Sequence, residues 1–409
     1  MSLDLDETLL QLDQVAQRLD LVRDDRQARL QRLVAAAAQV TSPDAKEKTR
    51  YPTGRGFLTA QVEDSLLGRY APAALPGDWS VVSVDGSHID VDRHIPISCY
   101  LINLGGCALT YGANPDARLF SRARLFSQDR DLYLTDPSNP AHEEAVTGPL
   151  LGLVRTVREL ERLVEVVKEC PPTLPTLALV DGSLVLWGLS GRGGGESRYA
   201  SFVREAILQE GLLAALNDLR NLAQHRLLTL AAYTSLPRST EVVNALRCCL
   251  CPHDLSQCRQ SCSNRHSVHA PCDAANDLRD RDLFSASGGL EEGWRSPIYR
   301  TNSSVSRESY GEHQVHFYYL NVGEEIARVE VPQWVARDET LLSLGHSLIL
   351  DQCRRGQGYP VAISEAHQQA VIGGGDRQMF RRMVAEALER RGLPVYTSEK
   401  ERSKHLPWV

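Results

Sequence analysis

The phrase Val-Asp-Gly-Ser occurs twice in this chain, at 84–87 and at 180–183, each time behind an apolar run. An aspartate at the end of a buried strand is costly unless a cation or a hydrogen-bond network matches its charge. Two such aspartates at neighbouring strand ends of one sheet could share one divalent ion. The plainer reading is turn chemistry, in which Asp and Gly are favoured for local reasons. Two copies, each behind at least four apolar-rich residues, favour the shared ion.

The pattern around these phrases is that of an α/β protein. WSVVSV reads as a strand ending at Asp85 in a Gly-Ser turn, and residues 97–112 as two short strands broken at Gly105–Gly106. A helix is predicted over 147–169, a strand over 176–187 and a second helix through 200–224. LLTLAAYTSLPRS reads as a strand running into a loop, and 315–332 as a late hairpin. Helices at 338–356 and 376–391 close the chain, with GYPVAISEAHQQAVI as the connection between them. Strands followed by strand–helix–strand alternation predict a mixed sheet flanked by helices. Ahead of this, Leu9, Leu10, Leu12, Val15, Leu19 and Leu21, then Leu30, Leu33 and Val34, recur near helical spacing, so residues 3–41 read as one long helix or a helical hairpin. Residues 41–57 read as a polar linker. The predicted organisation is an N-terminal helical arm and linker (1–57) before one large domain (58–400), which carries a cysteine-rich insertion at 248–272.

The helix between the two DGS phrases supplies a third carboxylate. Its apolar stripe runs through Leu150, Leu153, Val154, Val157, Leu160 and Val164. At ~100° per residue Glu161 falls within that stripe, whereas Glu159 points nearly opposite. Asp85, Glu161 and Asp181 would then form an acidic cluster for Mn²⁺ or Mg²⁺, the ions that suit all-oxygen donors. Glu159 is the alternative two residues away. Asp90 and Asp92 read as solvated strand residues. A cluster of this kind suits phosphodiester hydrolysis.

The net charge of −7 excludes a generally basic nucleic-acid coat protein, but a nuclease needs only a local basic groove. No apolar run approaches the ~20 residues that span a bilayer, and the acidic N-terminus is unlike a secretory signal. A cytoplasmic location with no membrane association is the expectation, and the ten cysteines are then expected as thiols or metal ligands.

The two strand–DGS units, the helix with an inward Glu, and the later segments YTSLPRSTEVVNALR, EIARVEVPQWVA and GYPVAISEAHQQAVI together resemble the NurA family over roughly residues 79–390. The resemblance implies a ribonuclease-H-like core, a homodimer, and a Mn²⁺-dependent single-strand endonuclease and 5′→3′ exonuclease for DNA end processing. It also implies a hexameric HerA-type ATPase as partner. Asp85, Glu161 and Asp181 fall on the family's metal-binding carboxylates, and Tyr359 and His367 on its late Tyr and His. His367 would ligate the metal or serve as general acid, and Tyr359 would hydrogen-bond the scissile phosphate or stack on a base. Arg238, just after a strand in SLPRS, is placed to contact phosphate, and Glu365 is either a further ligand or a solvated residue.

Two segments fall outside that pattern. ALRCCLCPHDLSQCRQSCSNRHSVHAPCD holds six of the ten cysteines, and Cys251, Cys258, Cys262 and Cys272 form the candidate set for a structural Zn²⁺, with an iron–sulfur cluster as the alternative. The spacing is not a regular zinc-ribbon spacing, and a reduced surface loop is the plain reading. The Gly-rich stretch at 191–197 lacks the P-loop pattern, so no intrinsic ATPase is expected, while Arg192 and Arg198 could touch a DNA backbone. The residues thus admit three functions: a metal-dependent DNA nuclease, a catalytically silent nucleic-acid or partner-binding scaffold, and a zinc-stabilised redox or regulatory module.

Overall fold

The computed structural model describes residues 4–50, 57–91, 97–190, 198–252, 271–286 and 288–393. The chain divides into two compact units: 1–71 with 235–303 and 316–328, and 72–234 with 304–315 and 329–409.

In the first unit, α1 (Leu5–Ala37) is a single helix, N-capped by Asp4, whose carboxylate accepts from the Glu7 N–H at 3.0 Å. The expected polar linker instead contains α2 (Ser42–Thr49), capped by Thr41 with Pro in its first turn. Three short antiparallel strands follow, β1 (Ala60–Val62), β9 (Tyr299–Thr301) and β10 (Val315–Asn321), in the order β1-β9-β10. The core of the unit joins Leu33 and Ala37 of α1 to Val242 and Leu246 of α5 (Glu241–Cys249) and to Tyr299, Phe317 and Tyr319. Buried charges there are matched. Arg328 lies 2.8 Å from Glu241 and over the Phe317 ring. Asp280, which opens α6 (Asp280–Ser285), accepts from the Tyr319 hydroxyl at 2.6 Å.

The second unit is built on a mixed sheet. β2 (Trp79–Ile89), β3 (Tyr100–Tyr111) and β4 (Asp116–Phe126) form an antiparallel meander, and β7 (Thr176–Asp181) and β8 (Leu228–Thr234) add in parallel on the other side of β2, giving β8-β7-β2-β3-β4. Parallel neighbours need a crossover, and α3 (Gly148–Glu169) supplies the one between β2 and β7. Central strands such as β8 (LTLAAYT) are buried nearly end to end, as strands covered on both faces must be. The main core joins Val82, Val84 and Ala178 of the sheet to Leu160, Leu163 and Val167 of α3, and to Leu212 and Leu216 of the helical stretch after β7. That stretch passes through a π-helical segment, Glu205–Leu213, before α4 (Ala214–Ala223). A two-stranded ribbon, β5 (Tyr133–Asp136) with β6 (Asn139–Ala145), precedes α3. β11 (Ile326–Pro332) returns the chain to this unit at Val329, and α7 (Glu339–Arg355), α8 (Val361–Ala370) and α9 (Gly374–Glu389) follow.

Three local expectations are corrected. β2 does not end at Asp85 but runs on to Ile89, so the first DGS lies within a strand. β3 is one continuous strand through Gly105–Gly106, which pair with Asp85 and Val84. The connection carrying His367 contains a helix, α8. The glycines of β3 are there for close approach. A Cβ on Gly105 would stand 2.1 Å from the Ala370 backbone nitrogen, so only glycine lets the end of α8 rest on the strand. Asn103 completes the dock by donating to the carbonyls of Ala370 (2.9 Å) and Gln369 (3.2 Å). At the other end of α8, the Gln352 side chain of α7 accepts from the Ala362 N–H at 2.9 Å.

Candidate metal centre

β2 and β7 are paired only as far as Ser83 and Leu179. Beyond that register β7 ends at Asp181 while β2 continues past Asp85, which opens a gap at the carboxyl end of the parallel pair. The aspartates at the two strands are held differently. Asp85 accepts from the Gly86 N–H at 2.7 Å through one oxygen, and His367 Nδ1 lies 2.9 Å from the other. Asp181 accepts from the Tyr359 hydroxyl at 3.3 Å, and the Tyr359 ring meets buried Tyr233 edge-on at 5.7 Å between centroids. Burial, and then the charge of Asp85, raises the Asp181 carboxyl above its ordinary range.

The second DGS is a turn. Gly182 has φ +90°, a left-handed conformation that suits glycine, and its N–H donates to the Tyr233 carbonyl at 2.9 Å. Glu330 of β11, 2% exposed, fixes the next two residues by accepting from the Ser183 hydroxyl (2.8 Å) and the Leu184 N–H (2.9 Å). This acidic residue in the apolar run ARVEVP was a readable signal, since a charge in a buried strand requires a partner.

The third carboxylate is Glu159. Its Oε1 occupies the space over Gly86, where a Cβ would stand 2.6 Å from it. Burial first, and then Asp85 and Asp181, push its carboxyl up to about 8, against the pull of Arg155. Arg155 Nε lies 3.0 Å from Glu159 Oε1, yet both atoms are buried without a hydrogen bond. Glu161 is placed elsewhere: it pairs with Arg158 at 2.7 Å and faces a cleft beside β4. α3 is buried on two sides, which is why one stripe misled. Val157 packs against Gly211 in the helical stretch after β7, while Arg155 and Glu159 lie against Gly86 of the sheet. The stripe through Val157 followed the helix-facing side, and the sheet-facing side carries charged residues at the site.

The structure therefore brings Asp85, Glu159, Asp181, Tyr359 and His367 to one sheet end, contributed by β2, α3, β7 and the α7–α8 region. Among the described residues no group of three or more His, Cys, Asp or Glu side chains is arranged to hold a metal ion as it stands. The donor types nonetheless suit a hard divalent ion, because three oxygen-only groups lie near enough for Asp85 and Asp181 to raise the Glu159 carboxyl and for Asp85 to raise that of Asp181.

The other candidates divide. Asp90 is structural, accepting from the Gly148 N–H at 2.7 Å at the start of α3. Arg238 is exposed in the first unit, where its carbonyl accepts from Arg279 at 2.7 Å. Glu365, half-buried in α8, sits on a helix and not in a loop. Arg192, Asp92, Cys258 and Cys262 lie outside the described residues. Cys251 and Cys272 are buried. No helix among the described residues is long and apolar enough to cross a membrane.

The family model for the NurA domain matches residues 80–372, from the second residue of β2 to just past α8. The chain belongs to the NurA family. It is similar to a crystal structure of NurA at 13% identity and TM-score 0.35, covering 79% of this chain and 91% of that one. It is also similar to a crystal structure of NurA with manganese at 12% identity and TM-score 0.33, covering 78% and 91%. Among curated proteins there is no match. The matched region begins in β2, which carries Asp85, ends just past α8, which carries His367, and takes in Glu159, Asp181 and Tyr359 between them.

Proposed function

We propose that this NurA-family chain is a metal-dependent DNA nuclease that hydrolyses phosphodiester bonds at the Asp85–Glu159–Asp181 cluster. The observation that carries the reading is the convergence of three carboxylates at the open end of a parallel strand pair, close enough that Asp85 and Asp181 raise the Glu159 carboxyl. The order β8-β7-β2-β3-β4, a meander followed by two parallel strands, supports a ribonuclease-H-like core.

Asp85, Glu159 and Asp181 would hold Mn²⁺ or Mg²⁺, which supplies Lewis-acid activation of water and of the phosphoryl oxygen. His367 uses Nδ1 toward Asp85, which leaves Nε2 on an exposed ring free to protonate the leaving oxygen. Tyr359 holds the rotamer of Asp181 through its hydroxyl, with its ring braced on Tyr233. Family membership supports the wider proposal of DNA end processing by a homodimer with a HerA-type ATPase.

The test is cleavage of end-labelled linear single- and double-stranded DNA in Mn²⁺, Mg²⁺ or EDTA, by wild type and Asp181→Ala. Metal-dependent degradation lost in the variant supports the reading. No cleavage by wild type with any metal, even with a HerA-type ATPase and ATP, replaces it with a silent binding scaffold.

A further inference from the structure

β4 is an edge strand of the second unit's sheet, and alternation puts Arg118, Phe120, Arg122, Arg124 and Phe126 on one face of it. That face and one side of α3 enclose a cleft of about 410 Å³, lined by Arg122, Arg124, Phe126, Arg158, Glu161 and Arg162 among others. Four arginines there meet two glutamates, Glu161 and Glu165. Both glutamates are engaged, with Arg158 and Arg162 at 2.7 Å each. Arg162 also lies over the Phe120 ring and Arg124 over the Phe126 ring. Among the described residues neither Arg122 nor Arg124 has an acidic partner, and both are exposed.

Charge on an edge strand also protects it from pairing with other strands, and exposed charge alone would need no other explanation. Here the charge lines a concavity instead, and a second row of arginines on α3 faces it. The cleft is also in register with the acidic cluster. Gly86 pairs with Leu104 and Leu104 with Arg122, so Arg122 stands two strand spacings, ~10 Å, from the strand position that Glu159 covers. Helix α3 contributes both Glu159 and the cleft's Arg158 and Arg162.

We propose that this cleft holds the backbone phosphates of a single nucleic-acid strand passing to or from the acidic cluster, an inference that rests on the nuclease reading. Arg122 and Arg124 supply charge that no acidic side chain among the described residues pairs, and Arg158 and Arg162, oriented by their glutamates, keep further N–H donors for phosphate oxygens. Space of this size admits a nucleotide or two of one strand. The contacts address phosphate and not base edges, so binding is independent of sequence.

The experiment is fluorescence anisotropy of a labelled 20-nucleotide single-stranded DNA in EDTA, read against salt, for wild type, R122E/R124E and R122A/R124A. Hydrolysis of bis(p-nitrophenyl) phosphate in Mn²⁺ is measured in parallel, because that substrate is too short to reach the cleft. Charge reversal is expected to weaken strand binding more than ten-fold. The alanine pair should lower the slope of log affinity against log salt by ~1.4, which corresponds to two single-strand phosphate contacts. Hydrolysis of the short substrate should persist in both variants, and unchanged melting temperatures verify that they fold. A wild type that binds the strand while both variants match its affinity and slope overturns the cleft. So does a wild type that binds no strand, or a loss of affinity that is as large for inorganic phosphate as for the strand. Strand binding that depends on Arg122 and Arg124 without hydrolysis of any substrate supports the cleft and removes the nuclease reading instead.

Discussion

His367 Nδ1 lies 2.9 Å from Asp85 Oδ2, although 282 residues separate them in the chain. The contact exists because α8 rests on β3, with its last turn against the glycine paired to Asp85. The contact joins the late Tyr–His segment to β2, and the Ser87 hydroxyl adds a second link by donating to the Ala370 carbonyl. His367→Ala is expected to lower DNA cleavage by ~10²-fold or more through loss of the general acid. Tyr359→Phe, which keeps the ring and loses only the hydroxyl, is expected to cost less. Rates of end-labelled substrate cleavage at saturating metal check the order of the two effects.

Glu159 and Glu161 are separated by metal binding more cleanly than by activity. Glu159→Gln is expected to weaken Mn²⁺ binding at least ten-fold, and Glu161→Gln to leave it within two-fold, as read by calorimetry. The Glu159 carboxyl, pushed up to about 8, is mostly protonated at neutral pH, so an incoming ion must displace that proton. Mn²⁺ affinity should therefore rise with pH to about 8 and then level. Proton release, measured in buffers of differing ionisation enthalpy, should disappear in Glu159→Gln. Equal release by wild type and variant would reject this assignment.

Gly105→Ala tests the dock of α8. The added methyl meets the backbone of Gln369 and Ala370, which cannot swing aside as a flexible side chain would. A loss on the order of 3 kcal/mol in stability is expected from overpacking. Cleavage should fall together with it as His367 is pushed from Asp85. Urea unfolding with an activity assay below the transition checks both, and an active, equally stable variant would refute the account.

Glu330→Gln is expected to weaken the turn after Asp181. A charged acceptor shared by Ser183 and Leu184 becomes a neutral amide, at a cost of about 1.5–3 kcal/mol. The urea midpoint should fall, and an unchanged midpoint would show that the carboxylate is not holding the turn.

His313 sets an acid limit on stability away from the metal site. Burial, and then Arg220, lower its pKa to about 4 from an ordinary 6.5, and its Nε2 lies 2.8 Å from Asn217. The unfolded chain therefore binds a proton between these values that the folded chain refuses. Stability contributed by the neutral ring is fully present above about 6.5 and is lost as pH falls toward 4, up to ~3 kcal/mol. Denaturant unfolding at pH 7 and pH 4.5 should show a smaller difference in His313→Gln than in wild type.

Part of the candidate site was legible in the residues. The two Val-Asp-Gly-Ser phrases drew attention to Asp85 and Asp181 because each aspartate follows an apolar-rich run, although only Asp181 ends its strand while Asp85 lies within one. Tyr359 and His367 were legible only through family resemblance, since neither carries a local signal. Glu159 was not legible from helical periodicity, which reports how apolar a face is and not which of two packing surfaces it meets. The helix at 361–370 was also hidden, because ten residues beginning Val-Ala-Ile carry no decisive period and form their helix against β2 and β3.

The sequence by itself determined the alternation of strands and helices, the two aspartates and the absence of any bilayer-length apolar run, because each depends on residues close in the chain. Tertiary structure decided which glutamate joins the aspartates, why Gly105 and Gly106 do not break β3, and how Arg122 comes to lie in register with Gly86. Each of those depends on which surface packs against which, and packing is settled only when distant segments compete for the same face of the sheet.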